Sequence, residues 1–313
     1  MSKKEYLKPP LSYQAQLERL EERGMSFVDC EEKALHLLEK LSYYRLSGYW
    51  HTLLKDPKSK HKFKSNAHFN TAFELYKFDR ELRLLVLNQI EKIEVALRAI
   101  IAYECSHSWG IFWLSKAGNF KSHTQHTRDL NKIFNEINRS SELFIKQYKR
   151  NYLQELPPSW MSLEVCSFGS LSYIYSNLKG GRTKRKISSN FGLKDDVLET
   201  WLHTFVYVRN ICAHHSRLWN KHLKIKASVP EKVTLDWITV FNIIDTRTGD
   251  EKHIKTKVYF VLCMLQYLLQ TVNPSNNFKV KLEDLFESYP DVDKFALGFP
   301  EEWKNEKLWS NKN

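Results

Sequence analysis

Between His68 and Cys105 the chain carries neither glycine nor proline, and its apolar residues recur at steps of three and four. A run of that length and period has one regular solution, a long α-helix; strands end far sooner and alternate at every second residue. Such a helix must cover an apolar stripe along its length, so its neighbours are expected to be helices too. The rest of the chain agrees, with only 10 glycines and 9 prolines in 313 residues and little strand-like alternation. Helices are predicted from Ser12 to Gly24 and from Cys30 to Leu54, the latter as one or two pieces with Gly48 as the weak point. Further helices are predicted over Thr124–Leu153, from the Pro157-Pro158 pair to Leu178, over Leu193–Leu223 and over Ile254–Gln270. DPKSKHKFKSN and SHSWG read as breaks, and KGGRTKRK as a flexible, strongly basic loop. VTLDWITVFNIIDTRTGDEKH leaves room for a small extended piece. With no internal repeat and no shift in composition, the expected architecture is all-α. It comprises an N-terminal helical extension (1–62), a helical bundle (63–275) and a C-terminal tail with short helices (276–313).

The charge balance, 48 Lys+Arg against 36 Asp+Glu, favours an anionic partner, nucleic acid before membrane surface. Tyr43-Tyr44-Arg45 and Tyr148-Lys149-Arg150 set aromatics beside cations, which suits stacking on single-stranded RNA. The competing reading is that aromatics on helices fill the core, so Tyr43, Tyr44 and Arg45 keep both. Five dispersed cysteines (Cys30, Cys105, Cys166, Cys212, Cys263), never in a CxxC pair, suit reduced thiols. The N-terminal residues lack the apolar core of a signal peptide, and the longest apolar run, Val258–Val272, is short for a bilayer. A soluble, cytoplasmic protein with no membrane association is expected. HExxH, paired CxxC, the P-loop and GxGxxG do not occur, so neither a metal nor a cofactor is expected.

The densest chemistry lies in residues 208–220, VRNICAHHSRLWN. Two readings compete, a solvated helix face and a reactive site. On a helix of 3.6 residues per turn, Leu198, Trp201, Phe205, Val208, Cys212 and Trp219 fall on one side as a core face. His203, Val206, Asn210, His214, Arg217 and Lys221 fall opposite, with Arg209 on the flank. Solvated faces ordinarily mix lysine with glutamate, whereas no carboxylate occurs from Thr200 to Val229. Asparagine and histidine are also poor helix formers. Arginine suits a phosphate, and histidine suits proton transfer near neutral pH. RNA supplies its own nucleophile, the 2′-hydroxyl. An enzyme that takes that proton, steadies the pentacoordinate phosphate and protonates the leaving oxygen needs no metal. Spacing alone selects no pair, because an arginine followed closely by a histidine recurs at Arg45/His51, Arg217/His222 and Arg247/His253.

Longer motifs are more specific. Arg209-Asn210-Ile211-Cys212-Ala213-His214 resembles the Arg-x4-His motif of HEPN ribonucleases, and RNICAHHSRLWN resembles the signature of the AbiD/AbiF-type abortive-infection proteins of bacteria. LSYYRLSGYW (41–50), FELYKFDRELRLLVLNQIEKIEVALRAIIAY (73–103) and PPSWMSLEVCSFGSLSYIY (157–175) resemble segments of the same family in the same order. The resemblance covers roughly residues 12–225. It implies a HEPN-type helical bundle and metal-independent endoribonuclease activity that leaves a 2′,3′-cyclic phosphate. It further implies a toxin-like role in phage defence and a small noncoding RNA as a regulator. HEPN sites usually form where two motif helices face each other; one motif per chain implies a homodimer.

Under that resemblance His214 is the general acid/base and Arg209 steadies the phosphate, while Asn210 orients His214 or the phosphate. Arg217 and Lys221 are candidates for RNA contact on the same stripe. His215 is expected toward the core as a structural residue. Lys179, Arg182, Lys184, Arg185 and Lys186 of the basic segment are candidates for phosphate contact, or are solvated linker. Glu94/Arg98 and Asp79/Arg83, each four apart, read as exposed intrahelical ion pairs; alternatively a carboxylate such as Glu94, with Arg98, orients Arg209 or His214. Two other function classes remain. One is a non-catalytic RNA-binding module on the same basic surface, and the other is a helical adaptor that senses a phage component.

Overall fold

A computed structural model describes residues 5, 7–224, 227–244 and 249–310. The described residues are all-α in class, 64% helical, with a two-stranded ribbon as their one sheet. The helices are α1 (Tyr13–Glu22), α2 (Glu31–Leu41), α3 (Tyr43–Trp50), α4 (Phe69–Trp109), α5 (His123–Arg139), α6 (Leu143–Asn151), α7 (Ser159–Glu164), α8 (Phe168–Asn177), α9 (Arg182–Ser189), α10 (Asp195–Ala213), α11 (Val258–Val272), α12 (Phe278–Ser288), α13 (Lys294–Leu297) and α14 (Lys307–Ser310). The stretch without glycine or proline is α4, the longest of them. The ambiguous segment contributes the ribbon, β1 (Asn242–Ile244) antiparallel to β2 (Glu251–His253).

The chain divides into two compact units. The first comprises Met1–Leu82 and Leu285–Val292. Its core includes Leu17, Leu20, Leu38, Leu46, Trp50 and Phe69, and Phe78 packs on Phe286 at 5.8 Å between ring centroids. The helical break falls at Ser42 rather than Gly48: Ser42 takes φ +71° and its hydroxyl accepts from the Arg45 amide, capping α3. Asp79 is not at a helix surface but fully buried, where it accepts from the Tyr49 hydroxyl at 2.7 Å.

The second unit comprises Arg83–Asp284 and Asp293–Asn313. Its centre is α11, buried continuously from Val258 to Leu269. The α8 helix packs on both α5 and α10. The predicted Thr124–Leu153 helix is interrupted after Arg139, where Ser140 is extended. Glu306, almost buried, accepts from the Thr239 and Val240 amides and the Thr239 hydroxyl, which ties the irregular segment before the ribbon to the C-terminal helices.

KGGRTKRK is not a flexible loop. Gly180 and Gly181 lead into α9, whose Thr183, Lys184, Ile187 and Ser188 are buried. Helical spacing puts the apolar and short side chains of this segment on one face and most of its cations on the other, which composition alone concealed.

Candidate functional site

The α10 helix starts with Asp195 and Asp196, carboxylates placed where the positive end of the helix dipole favours them. Leu198, Trp201, Phe205, Val208 and Cys212 are buried as projected, and Trp201 donates to the Ser228 carbonyl at 2.8 Å. The helix ends ten residues before the expected Leu223. His215 takes φ +55°, the His215 amide donates to the Cys212 carbonyl and the Ser216 amide to the Ile211 carbonyl. That pattern is a Schellman terminus with histidine in the left-handed position usually held by glycine. His215 therefore does not face the core: it is exposed, and its backbone turns the chain. Beyond the turn, Leu218 and Trp219 are buried while Arg217 and Lys221 are half-buried. Arg217 and Lys221 thus leave the polar helical stripe, while Trp219 is buried as expected though beyond the helix.

Arg209, Asn210 and His214 remain together in the last turn of α10, all exposed. The Asn210 carbonyl accepts from the His214 amide at 3.0 Å, and a terminal nitrogen of Arg209 donates to the Asn210 side-chain oxygen at 3.4 Å. The Asn210 side chain therefore engages Arg209. An arginine, an asparagine and a histidine share one helix end.

Glu94 and Arg98 of α4 complete this neighbourhood. Arg98 bonds Glu94 at 2.9 Å, with both side chains mostly shielded, and donates to the Cys166 carbonyl at 2.9 Å. This is not an exposed intrahelical pair. Burial raises the Glu94 carboxyl above its ordinary pKa, opposed by the positive charges of Arg98 and Arg209. The positive charge of Arg209 thus works on the Glu94 carboxyl in the same direction as that of Arg98. Sequence spacing registers Glu94/Arg98, but it has no signal for the Cys166 carbonyl, 68 residues away.

The basic segment divides. Lys179, Arg182 and Arg185 are exposed, and Lys186 lies 3.6 Å from Glu104. Lys184 is buried, 2% exposed, and its amine is committed to Glu199 at 2.8 Å and to the Ser176 carbonyl at 3.1 Å. It holds α9 to α10 and has no face toward an external phosphate. Arg217 and His222 do not share a helix, and Arg247 lies outside the described residues.

Among the described residues no group of three or more His, Cys, Asp or Glu is placed to hold a metal ion, and no helix is long and apolar enough to cross a membrane. The family model described as Abi-like protein matches residues 36–220, a span that holds Glu94, Arg98, Arg209, Asn210, His214 and Arg217. No curated protein and no solved structure matches the chain. A family match over more than half of its length, with the exposed Arg209–His214 helix end inside it, makes this chain a member of the Abi-like, abortive-infection family.

Proposed function

We propose that this Abi-like protein is the effector of a bacterial abortive-infection system and acts as a metal-independent endoribonuclease of HEPN type. The observation that carries the reading is the convergence of Arg209, Asn210 and His214 on one exposed helix end, in a segment without a carboxylate of its own, with the charge of Arg209 acting on the Glu94 carboxyl of α4. The 2′-oxygen of the substrate attacks phosphorus as His214 takes its proton. The bond to the 5′-oxygen breaks, a proton is returned to that oxygen, and a 2′,3′-cyclic phosphate and a 5′-hydroxyl remain. Arg209 supplies planar, permanently charged donors to the phosphate oxygens as negative charge builds there. Asn210 holds Arg209 toward the scissile group.

Each chain carries one such helix end, and a second copy supplies the facing half in a homodimer. Arg217, Lys221, Lys179, Arg182, Arg185 and Lys186 hold the flanking RNA, and a small noncoding RNA is the proposed regulator. The test is incubation of purified protein with a single-stranded RNA in EDTA, followed by end analysis. Cleavage with cyclic-phosphate ends, lost in Arg209→Ala and in His214→Ala, is expected. Cleavage that survives both substitutions sinks the site, and RNA that is bound but left intact transfers the protein to the class of non-catalytic RNA binders.

A further inference from the structure

The first compact unit holds a concentration of positive charge that the nuclease reading does not use. Two adjoining cavities, of about 410 and 430 Å³, share Glu22, Arg23, Lys60 and Lys62 in their walls. Lys8 and Arg19 extend the first, and Lys55 extends the second. The walls are built by backbone, not by chance proximity. Phe63, buried, donates its amide to the Arg23 carbonyl at 2.8 Å, the Lys55 amide donates to the Lys62 carbonyl at 2.8 Å, and the Lys62 amine reaches the Glu22 carbonyl at 3.1 Å. Lys8, Arg19, Lys55, Lys60 and Lys62 make no ion pair with a carboxylate among the described residues. Glu22 and Asp56 also stand in the walls, so the groove sets six cations, Arg23 among them, against two carboxylates.

An aromatic adjoins it. Arg23 donates to the Tyr43 hydroxyl at 2.9 Å, the Tyr43 ring meets Tyr44 edge-on at 6.2 Å between centroids, and Tyr44 is 80% exposed. Tyr43 is thereby tied into the fold, whereas Tyr44 presents its ring to solvent. A lysine-lined groove beside an open aromatic is the pairing that holds single-stranded nucleic acid, with cations along the backbone and a ring under a base. Six cations against two carboxylates along two joined cavities match several phosphates of one strand rather than a single small anion. The concave form suits a chain rather than the flat headgroup surface of a membrane.

We propose that this groove, with Tyr44 as its stacking platform, is a second binding site for single-stranded RNA. The choice of RNA over DNA rests on the ribonuclease reading; the requirement for a polyanion with stackable bases rests on the groove alone.

The experiment uses the full chain carrying His214→Ala and a fluorescein-labelled 12-nucleotide single-stranded RNA in EDTA, with anisotropy read across a salt series. The triple variant Lys55→Gln/Lys60→Gln/Lys62→Gln is expected to raise Kd by roughly tenfold or more and to flatten the plot of log K against log salt by about two, since each phosphate contact to a single strand contributes about 0.7. Tyr44→Ala is expected to weaken binding roughly tenfold, and Tyr44→Phe to restore it, because stacking needs the ring and not the hydroxyl. Among the described residues the side chains of Lys55, Lys60 and Tyr44 make no hydrogen bond and that of Lys62 bonds only the exposed Glu22 carbonyl, and an unchanged thermal melt checks the fold. Unaltered affinity and slope in the triple variant overturn the proposal. So does lysine-dependent capture by phosphatidylserine vesicles with no RNA binding. Cleavage of the same RNA by the chain with His214 intact is measured in parallel. Lysine-dependent binding without cleavage keeps the groove and removes the nuclease, and cleavage with lysine-independent binding does the reverse.

Discussion

Arg98, one turn beyond Glu94 on α4, holds the Glu94 carboxylate at 2.9 Å and with the same terminal nitrogen donates to the Cys166 carbonyl at 2.9 Å. The carboxylate is thereby held by Arg98, and the positive charge of Arg209 adds to that of Arg98 in opposing the effect of burial. Glu94→Gln keeps the shape and the acceptor for Arg98 and removes the charge. Cleavage is expected to fall roughly tenfold in kcat, on the scale of about 1.4 kcal/mol, with the fold intact. Burial raises the Glu94 pKa, so the wild-type carboxyl takes up its proton at a pH above that of an ordinary glutamate. Activity that needs the carboxylate is then lost as pH falls through that raised value. The wild-type pH–rate profile should carry this acid limb and the Gln variant should not; identical profiles would count against any role for Glu94.

The two adjacent histidines should part company. His215 has a left-handed backbone, which glycine adopts without the cost of about 1 kcal/mol that a side chain carries there. His215→Gly is expected to keep the helix terminus and to keep cleaving RNA, while His214→Ala folds normally and is inactive. Paired thermal melts and cleavage assays decide this. Loss of cleavage in His215→Gly with an unchanged melt would put the chemistry on the wrong histidine.

How far the chain could be read in advance follows from which forces act locally. The periodicity of the stretch from His68 to Cys105 reports α4 directly, because burial along one stripe is written at steps of three and four. Trp201, Phe205 and Val208 were legible as core for the same reason. The end of α10 was not. Its terminator is His215, and a left-handed histidine has no compositional mark of the kind glycine leaves. Arg217 and Lys221 were therefore carried onto a stripe that stops before them. In the basic run at 179–186 the density of charge hides the helical period: Thr183 and Ile187 sit four apart, and Lys184 beside them turns inward to Glu199. The partner of Lys184 is fixed by tertiary packing, and no nearby residue announces it. Within the site, Arg209, Asn210 and His214 were legible as one motif, whereas the anchoring of Glu94 and Arg98 on Cys166 depends on how α4 meets the start of α8.

The Lys184–Glu199 bond sets a stability prediction. Burial disfavours the charged Lys184 amine and lowers its pKa, so the amine depends on its counter-charge. Glu199→Ala leaves it buried without that partner, at an expected cost of about 3 kcal/mol in urea unfolding. Lys184→Met removes the buried charge itself, fills similar volume and should cost clearly less. Burial works against the Glu199 carboxylate too, but bonds from Lys184 and Ser176 outweigh it and hold the carboxyl below its ordinary pKa. That contribution is present above the unfolded glutamate value of about 4.3 and is lost as pH falls through the lowered one. The acid side of the wild-type stability curve should therefore be steeper than that of Glu199→Ala. Equal costs for the two single variants would show that the pair does not behave as a buried ion pair.

The proposed homodimer needs a surface, and α4 offers one beside the site. Leu84 is 52% exposed and Val95, next in sequence to Glu94, is 56% exposed. Eleven residues separate them, which is close to three full turns, so they stand on one line of the helix. Exposed aliphatics in line on a long helix are the material of a helix–helix contact between copies. Leu84→Glu/Val95→Glu places like charges at a contact that, across a two-fold axis, meets itself. The expected outcome is a folded monomer by sedimentation, with an unaltered helical CD spectrum and RNA cleavage reduced at least a hundredfold. Wild-type protein diluted below its dimer dissociation constant should lose specific activity in the same way. A double variant that sediments as a monomer and cleaves at the wild-type rate would show that one copy of the Arg209–His214 helix end is a complete site.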